Sequence, residues 1–374
     1  MIKKLLLAFV AVAVMASCGS KSSYKINGQV EGLEDGTVMT LNVIDYNSLM
    51  PLDSVVLKNG KFSFKGEADT AQIAVVTFEL NDNIGGCELY LEGGKINIYL
   101  DIENGYQRVE GAPNNDAFQK FIDESQPYNE EASEIEDKIR ITLASQGDCS
   151  DLYNQMGDLQ ERFKELVAKD IMDNANLFYG YRQLMDNYSV FDPEEVMEML
   201  EKLAPTFGGD LAFGQLTAMI KSQLSVSLGH QYIDFETPLL DKKGGFDTKA
   251  KLSDYVSKNK ITLLDFWASW CTPCMNEVPN LRAAYKRFKS KGFEIVSVSV
   301  DEDTEAWKNA IKVNEMNWVQ LWNGAEEDVA NSPASDYSVS AIPCTFLIDA
   351  EGEIIGRNLR GDELEKALED YFKN

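Results

Sequence analysis

The chain has 374 residues, 44% of them hydrophobic, enough to bury more than one core. Its 35 basic and 61 acidic residues give a net charge of −26, which excludes nucleic acid as a partner and disfavours adhesion to anionic lipid. The acidic surplus is most simply a solvated surface that maintains solubility, and no substrate follows from it.

Met1-Ile2-Lys3-Lys4 is a basic start, Leu5 to Met15 an apolar run too short to span a bilayer, and Ala16-Ser17-Cys18 a small-residue cleavage site ending in cysteine. The arrangement resembles a bacterial lipoprotein signal, with Met15 where Leu is commonest. That resemblance implies a signal peptide over 1–17, acylation of the mature chain at Cys18, and a flexible tether over 18–23. An ordinary secretory signal, with Cys18 incidental, is the alternative. Either places the protein in the cell envelope, facing a periplasm where disulfides persist. No later apolar run suffices for a second membrane segment, so contact with the membrane is expected only through Cys18.

Residues 24–112 read as an antiparallel β domain. Tyr24 to Val30, Thr37 to Val43, Ser54 to Leu57 and Lys61 to Phe64 are strand-like runs, several alternating, separated by Glu34-Asp35-Gly36, Asn59-Gly60 and Gly93-Gly94. Asn59-Gly60 is a strong hairpin signal, because both positions tolerate positive φ. Residues 113–228 turn helical, with apolar spacing over Ile135 to Leu143, Leu152 to Met172 and Pro193 to Leu203. Asp192-Pro193-Glu194-Glu195 supplies a cap, a proline and first-turn acids for the last of these. Met197 and Met199 are read as core rather than as a substrate cradle. Gly208-Gly209 and Gly229 mark breaks, and His230, the only histidine, is structural in the connection that follows. Cys87 and Cys149 are read as unpaired or packed.

Residues 232–374 hold the chemistry. In Asp265-Phe266-Trp267-Ala268-Ser269-Trp270-Cys271-Thr272-Pro273-Cys274, two thiols stand three positions apart where a strand pattern gives way to a helix pattern. If Cys271 caps that helix, its sulfur meets unpaired backbone N–H groups and the positive end of the dipole, which favour thiolate. Cys271 is then the nucleophile, at an exposed edge of the helix. Cys274, one turn along, resolves a mixed disulfide from behind. Pro273 falls in the first turn, where no intrahelical bond is lost. Ile261 to Trp267 reads as a buried strand interrupted by Asp265. Burial should raise its pKa, so Asp265 can exchange a proton with Cys274. The alternative is a strand-end carboxylate held by backbone donors.

The block Leu264 to Cys274 resembles the active-site segment of thioredoxins and of TlpA/ResA-type envelope thiol-disulfide reductases. Glu277-Val278-Pro279 resembles the acidic residue and helix-kinking proline of that group, Gly292 to Asp301 its next central strand, and Ser340 to Asp349 its cis-proline segment. The resemblance implies a thioredoxin-like α/β domain with a mixed central sheet flanked by helices. It also implies a cis Pro343, substrate contacts from Trp270, Thr272, Pro273, Ile342 and Pro343, and help from Glu277 in moving protons. It implies no cofactor beyond the cysteine pair, substrates that are protein or small-thiol disulfides, and a membrane thiol transporter as electron donor. Ahead of it, Ile26-Asn27-Gly28, Asn59-Gly60-Lys61-Phe62 and Leu91-Glu92-Gly93-Gly94 resemble an uncharacterised β domain found before such modules in envelope lipoproteins.

Two departures stand out. Cys344 follows the proline where many relatives carry Thr, so a third thiol facing the redox pair is one reading and a packed small hydrophobe the favoured one. There is no His between Cys271 and Cys274, so thiolate stabilisation is weaker and a reductase is favoured over an oxidase. A structural zinc site lacks its further Cys or His ligands. A peroxiredoxin would need Pro and Thr or Ser where Leu264 and Ala268 stand. A purely structural disulfide closes too short a loop to constrain the unfolded chain much. The expectation is therefore a lipid-anchored thiol-disulfide oxidoreductase, serving cytochrome c maturation or envelope redox homeostasis. The alternatives are a binding lipoprotein with a vestigial redox domain, or a thiol oxidase or peroxidase-like antioxidant protein.

Overall fold

The structure, a computed structural model, describes residues 22–45, 48–80, 83–241, 244–245, 247–324 and 332–373. The signal, Cys18 and most of the tether lie outside the described residues. The chain divides into two compact units, 1–215 and 216–374.

The first unit begins with eight strands: β1 (Ser22–Glu31), β2 (Val38–Asp45), β3 (Ser48–Val56), β4 (Lys61–Ala68), β5 (Gln72–Leu80), β6 (Asn83–Leu91), β7 (Gly94–Asp101) and β8 (Tyr106–Glu110). They form two four-stranded sheets, ordered β4-β1-β7-β8 and β3-β2-β5-β6. Alternate residues of both, among them Ile26, Phe64 and Ile96 from one and Leu41, Val76 and Leu89 from the other, share one buried core. One ladder departs from the antiparallel expectation: β1 and β7 run parallel, with Ile26 opposite Ile96. The long chain between them supplies the crossover that a parallel pair needs.

Asn59-Gly60 does form a tight turn, with φ of 49° and 65° at its two central residues. Lys58 and Lys61 exchange both backbone hydrogen bonds across it, and the Asp35 carboxylate accepts the N–H groups of Asn59 and Gly60. The ladder stops there, however, because β3 and β4 then enter different sheets. Local turn chemistry is satisfied while the hydrophobic faces of the two strands are buried separately.

The helices are α1 (Pro113–Ala144), α2 (Ser150–Asp173), α3 (Phe178–Asn187), α4 (Pro193–Phe207) and α5 (Leu211–Leu224). Apolar spacing captured α2 and the end of α1, over Ile135 to Leu143, and spacing with the Asp192-Pro193 start signal captured α4. The first half of α1 was missed because all its buried residues but Ala117 are polar: Asn114, Asn115, Gln119 and Ser125. Asn115 shows why this is tolerated, since its amide accepts the Tyr90 N–H at 2.9 Å and donates to the Tyr90 carbonyl at 2.7 Å, pairing with β6 as another strand would. At α4, Glu195 accepts the Asp192 N–H at 2.9 Å, the reciprocal half of a capping box. Met199 is buried in the core, and Met197 is half-buried. Cys87 and Cys149 are both free and buried, and burial pushes the Cys87 thiol up to about 12.

The second unit holds β9 (Glu236–Leu239), β10 (Thr248–Lys251), α6 (Ser253–Val256), β11 (Ile261–Trp267), α7 (Thr272–Phe288), β12 (Phe293–Ser299), α8 (Thr304–Val313), β13 (Val319–Trp322), α9 (Pro333–Asp336), β14 (Cys344–Asp349), β15 (Ile354–Arg357) and α10 (Gly361–Lys373). Its seven-stranded sheet runs β10-β9-β13-β12-β11-β14-β15. β11, β12 and β13 are parallel, and β14 pairs antiparallel with β11, so the sheet is mixed. Every residue of β11 is buried, as expected of a central strand covered on both faces. Leu263 and Trp267 pack with α7 and α10 on one face; Leu264 and Phe266 pack with Tyr337, Phe346 and Val226 on the other.

Candidate active site

Cys271 is the N-cap of α7, with an extended backbone (φ −83°, ψ 99°), and its sulfur accepts the Cys274 N–H at 3.2 Å. The two cysteines are bonded, at an S–S distance of 2.07 Å. Pro273 lies in the first turn as read, and Thr272 and Pro273 are exposed. The expectation of an exposed Cys271 needs correction: it is 5% accessible, against 3% for Cys274, while the neighbouring Trp270 is 68% accessible. The cause is the packing of Cys271 into the cluster of Trp267, Ala268 and Cys274.

The peptide between Ile342 and Pro343 is cis. The Ile342 carbonyl oxygen lies 3.7 Å from Cys271 Sγ, so two segments some seventy residues apart meet at one sulfur. Arg360, just before α10, donates from Nη2 to the Pro343 carbonyl at 2.6 Å and holds this loop from behind.

Asp265 is buried on the Cys274 side of β11, as strand alternation from Leu263 and Trp267 requires. Its Oδ2 accepts from Ser297 Oγ at 2.8 Å, and Ser297 Oγ accepts from Trp318 Nε1 at 2.8 Å. Burial pushes the Asp265 carboxyl up to about 6; the Ser297 hydrogen bond opposes this, the Glu277 charge adds to it and the Arg360 charge opposes it. Asp265, Cys274, Glu277, Pro343 and Arg360 line one cavity of about 10 Å³. That is room for about one water molecule, and the polar groups around it are those that could hold one. Glu277 is tied down by the Gly361 N–H at 2.7 Å and by Asn280 Nδ2 at 3.0 Å.

Cys344 lies on β14 opposite Phe266 and is buried among Phe266, Tyr337 and Phe346. That cluster covers the face of the sheet away from Cys271 and Cys274, so alternation along β14 turns this thiol from the redox pair and the packed reading describes it. Burial raises its pKa, against the opposing charge of Arg357. His230 sits at the surface with its Nδ1 3.1 Å from Ser227 Oγ.

Sequence reasoning missed Asp301. It is buried, accepts from the Ser269 N–H at 2.8 Å, from Ser269 Oγ at 2.5 Å and from Ser299 Oγ at 2.7 Å, and so fixes the turn that delivers Cys271. Its only sequence signal was an acid at the end of a buried strand. Asp301→Ala would strand three donors and should cost roughly 3 kcal/mol, read as a lower urea midpoint at unchanged slope.

Residues 259–354 match a family described as Thioredoxin-like, and residues 24–118 match a domain of unknown function (DUF4369). The thiol-disulfide oxidoreductase ResA of Bacillus cereus is 30% identical over 166 residues, 44% of this chain and 88% of that protein. ResA of Bacillus subtilis is 33% identical over 162 residues, 43% of this chain and 83% of that protein. Among solved structures, the thioredoxin domain of a thiol-disulfide oxidoreductase from Bacteroides vulgatus is 34% identical and covers 40% of this chain and 99% of its own, with a TM-score of 0.35.

The class is thus a thioredoxin-like enzyme that exchanges dithiols with disulfides, and its redox group is the cysteine pair itself. The reach of the match across nearly all of the Bacillus cereus protein shows the narrower membership: the chain belongs to the ResA-type thiol-disulfide oxidoreductases.

Proposed function

We propose that the chain is a lipid-anchored, extracytoplasmic reductase of protein disulfides, held to the membrane through Cys18 and recharged by a membrane thiol donor. The observation that carries the reading is the position of the Cys271 sulfur, at the cap of α7 and beside the Ile342 carbonyl that precedes cis Pro343. Reduced Cys271 attacks one sulfur of a client disulfide, forming a mixed disulfide and releasing the first client thiolate. Cys274 gives its proton to the Asp265 carboxylate through the small cavity they share, then attacks Cys271. The second client thiolate leaves and takes up a proton, two electrons have passed to the client, and the Cys271–Cys274 bond has formed.

Glu277 assists through its charge on Asp265. Trp270, Thr272, Pro273, Ile342 and Pro343 form the client contact, with Ile342 offering its backbone. The Thr-Pro dipeptide between the cysteines, which adds no charge to favour a thiolate, supports the reducing direction. Envelope disulfides, those of apocytochrome c included, are the clients.

A Cys274→Ser variant completes the first exchange and not the second. Expressed in cells, it should accumulate as mixed disulfides with envelope proteins, visible as dithiothreitol-sensitive bands on non-reducing gels. Recovery of the free monomer alone would overturn the assignment of protein clients.

A further inference from the structure

Beside the redox pair, the second unit carries a groove of about 850 Å³ that runs from Trp270 and Ile342 to Met219 and Gln223 of α5. Only the first two residues belong to the segment that matches the Thioredoxin-like family, residues 259–354. We propose that the C-terminal half of α5 is a wall of the client groove, and that this groove receives an extended polypeptide bearing apolar and basic side chains rather than acidic ones. The inference rests on the reductase reading and names the chemistry of its client.

Three observations support it. The wall is fixed in place: Ile220 in α5 is 2% accessible, Val226 just beyond the helix is 0% accessible, and Ser338 Oγ and Ser222 Oγ lie 2.6 Å apart. Met219 and Gln223 are therefore presented from a seated helix, four residues apart on one face. The groove is continuous with the reacting atoms, since Ile342 lines it and its carbonyl oxygen lies 3.7 Å from Cys271 Sγ. A client cysteine at Cys271 would lead its flanking residues along this channel, which is larger than a small disulfide requires.

The surface chemistry then selects. Trp270 and Met219 are 68% and 36% accessible, an aromatic anchor and an adaptable thioether that suit varied apolar side chains. The ionisable residues lining the groove, among those described, are Asp301 and Glu302. Asp301 is engaged with Ser269 and Ser299, so among the described residues it is the exposed Glu302 that offers a client its charge. On a chain of net charge −26 this repels acidic segments and attracts basic ones.

The test compares three probes with the full chain: a disulfide-bridged peptide of apolar and basic residues, its acidic counterpart, and bis(2-hydroxyethyl) disulfide. Met219→Lys, at an accessible helix position, should lower kcat/KM for the basic peptide about tenfold while turnover of the small disulfide is retained. Glu302→Gln should narrow the preference of the wild type for the basic over the acidic peptide. Unchanged peptide turnover in Met219→Lys, or an equal loss with the small disulfide, would overturn the proposal. Failure of the wild type to reduce any probe would defeat the reductase reading itself and this inference with it.

Discussion

Cys271→Ser should lower the reduction of insulin disulfides by about three orders of magnitude or more, because a serine hydroxyl does not ionise near neutral pH and cannot replace a thiolate as nucleophile. The loss should be chemical and not structural. Serine is among the best N-cap residues, so the Cys274 N–H keeps an acceptor and α7 keeps its start. The absent disulfide closes a loop of only three residues of separation and constrains the unfolded chain little. The unfolding midpoint of the variant should therefore stay close to that of the reduced wild type. Turnover at the wild-type rate would refute the assignment of the nucleophile. Equilibration of the wild-type pair against glutathione gives its redox poise: the potential should fall below about −200 mV, and a value near the strongly oxidising end of the thioredoxin range would reverse the direction proposed.

Asp265→Asn should separate two consequences of one buried carboxyl. Its folded pKa, about 6, lies above the ordinary value of 3.8, so the fold favours the protonated form. The contribution to stability is then fully present below about pH 4 and is lost as pH rises through about 6, a total on the order of 3 kcal/mol. The asparagine variant has no such slope. It should equal the wild type at low pH and exceed it at pH 7, where the native carboxylate is ionised in a buried site. Its amide oxygen can still accept from Ser297, which limits other damage.

The catalytic effect should run the other way. Without a base beside Cys274, resolution of the mixed disulfide should slow by about a hundredfold at neutral pH. The wild-type rise in that rate, with a midpoint near the Asp265 pKa, should disappear. Chemical denaturation at pH 4 and 7, and stopped-flow release of the second client thiol across the same range, measure both. A variant no more stable at pH 7 and equally fast would remove Asp265 from the mechanism.

Sequence reasoning reached the redox centre because its signals are local. Cys271 and Cys274 share one turn of helix, Pro273 sits beside them, and Asp265 is two residues from the end of the strand that feeds the turn. The groups that position them were not legible in the same way. Arg360 holds the Pro343 carbonyl from 17 residues away, Asp301 holds Ser269 from 32, and Trp318 reaches Ser297 from 21. Each reads in isolation as an ordinary charged or aromatic residue. In the first unit, α3 and the start of α1 escaped notice because they bury asparagine, glutamine and tyrosine, which only partners elsewhere in the chain make tolerable.

What the amino-acid order determined by itself was the chemistry: a dithiol at a strand-to-helix junction, an acid in the preceding strand, a proline to sit opposite, and membership of a redox superfamily. The dithiol and the acid follow from nearest-neighbour spacing and backbone preference, which act before the chain folds; the place of the proline and the superfamily come from the resemblance of whole motifs. What only the tertiary structure decided was which groups face one another. Alternation along β11 and β14 put Asp265 beside Cys274 and turned Cys344 to the other face. Packing then covered Cys271, left Trp270 outside, and brought Met219 to the groove. Such outcomes depend on burying two faces of one sheet at once, a condition set by the whole domain and written in no single segment of it.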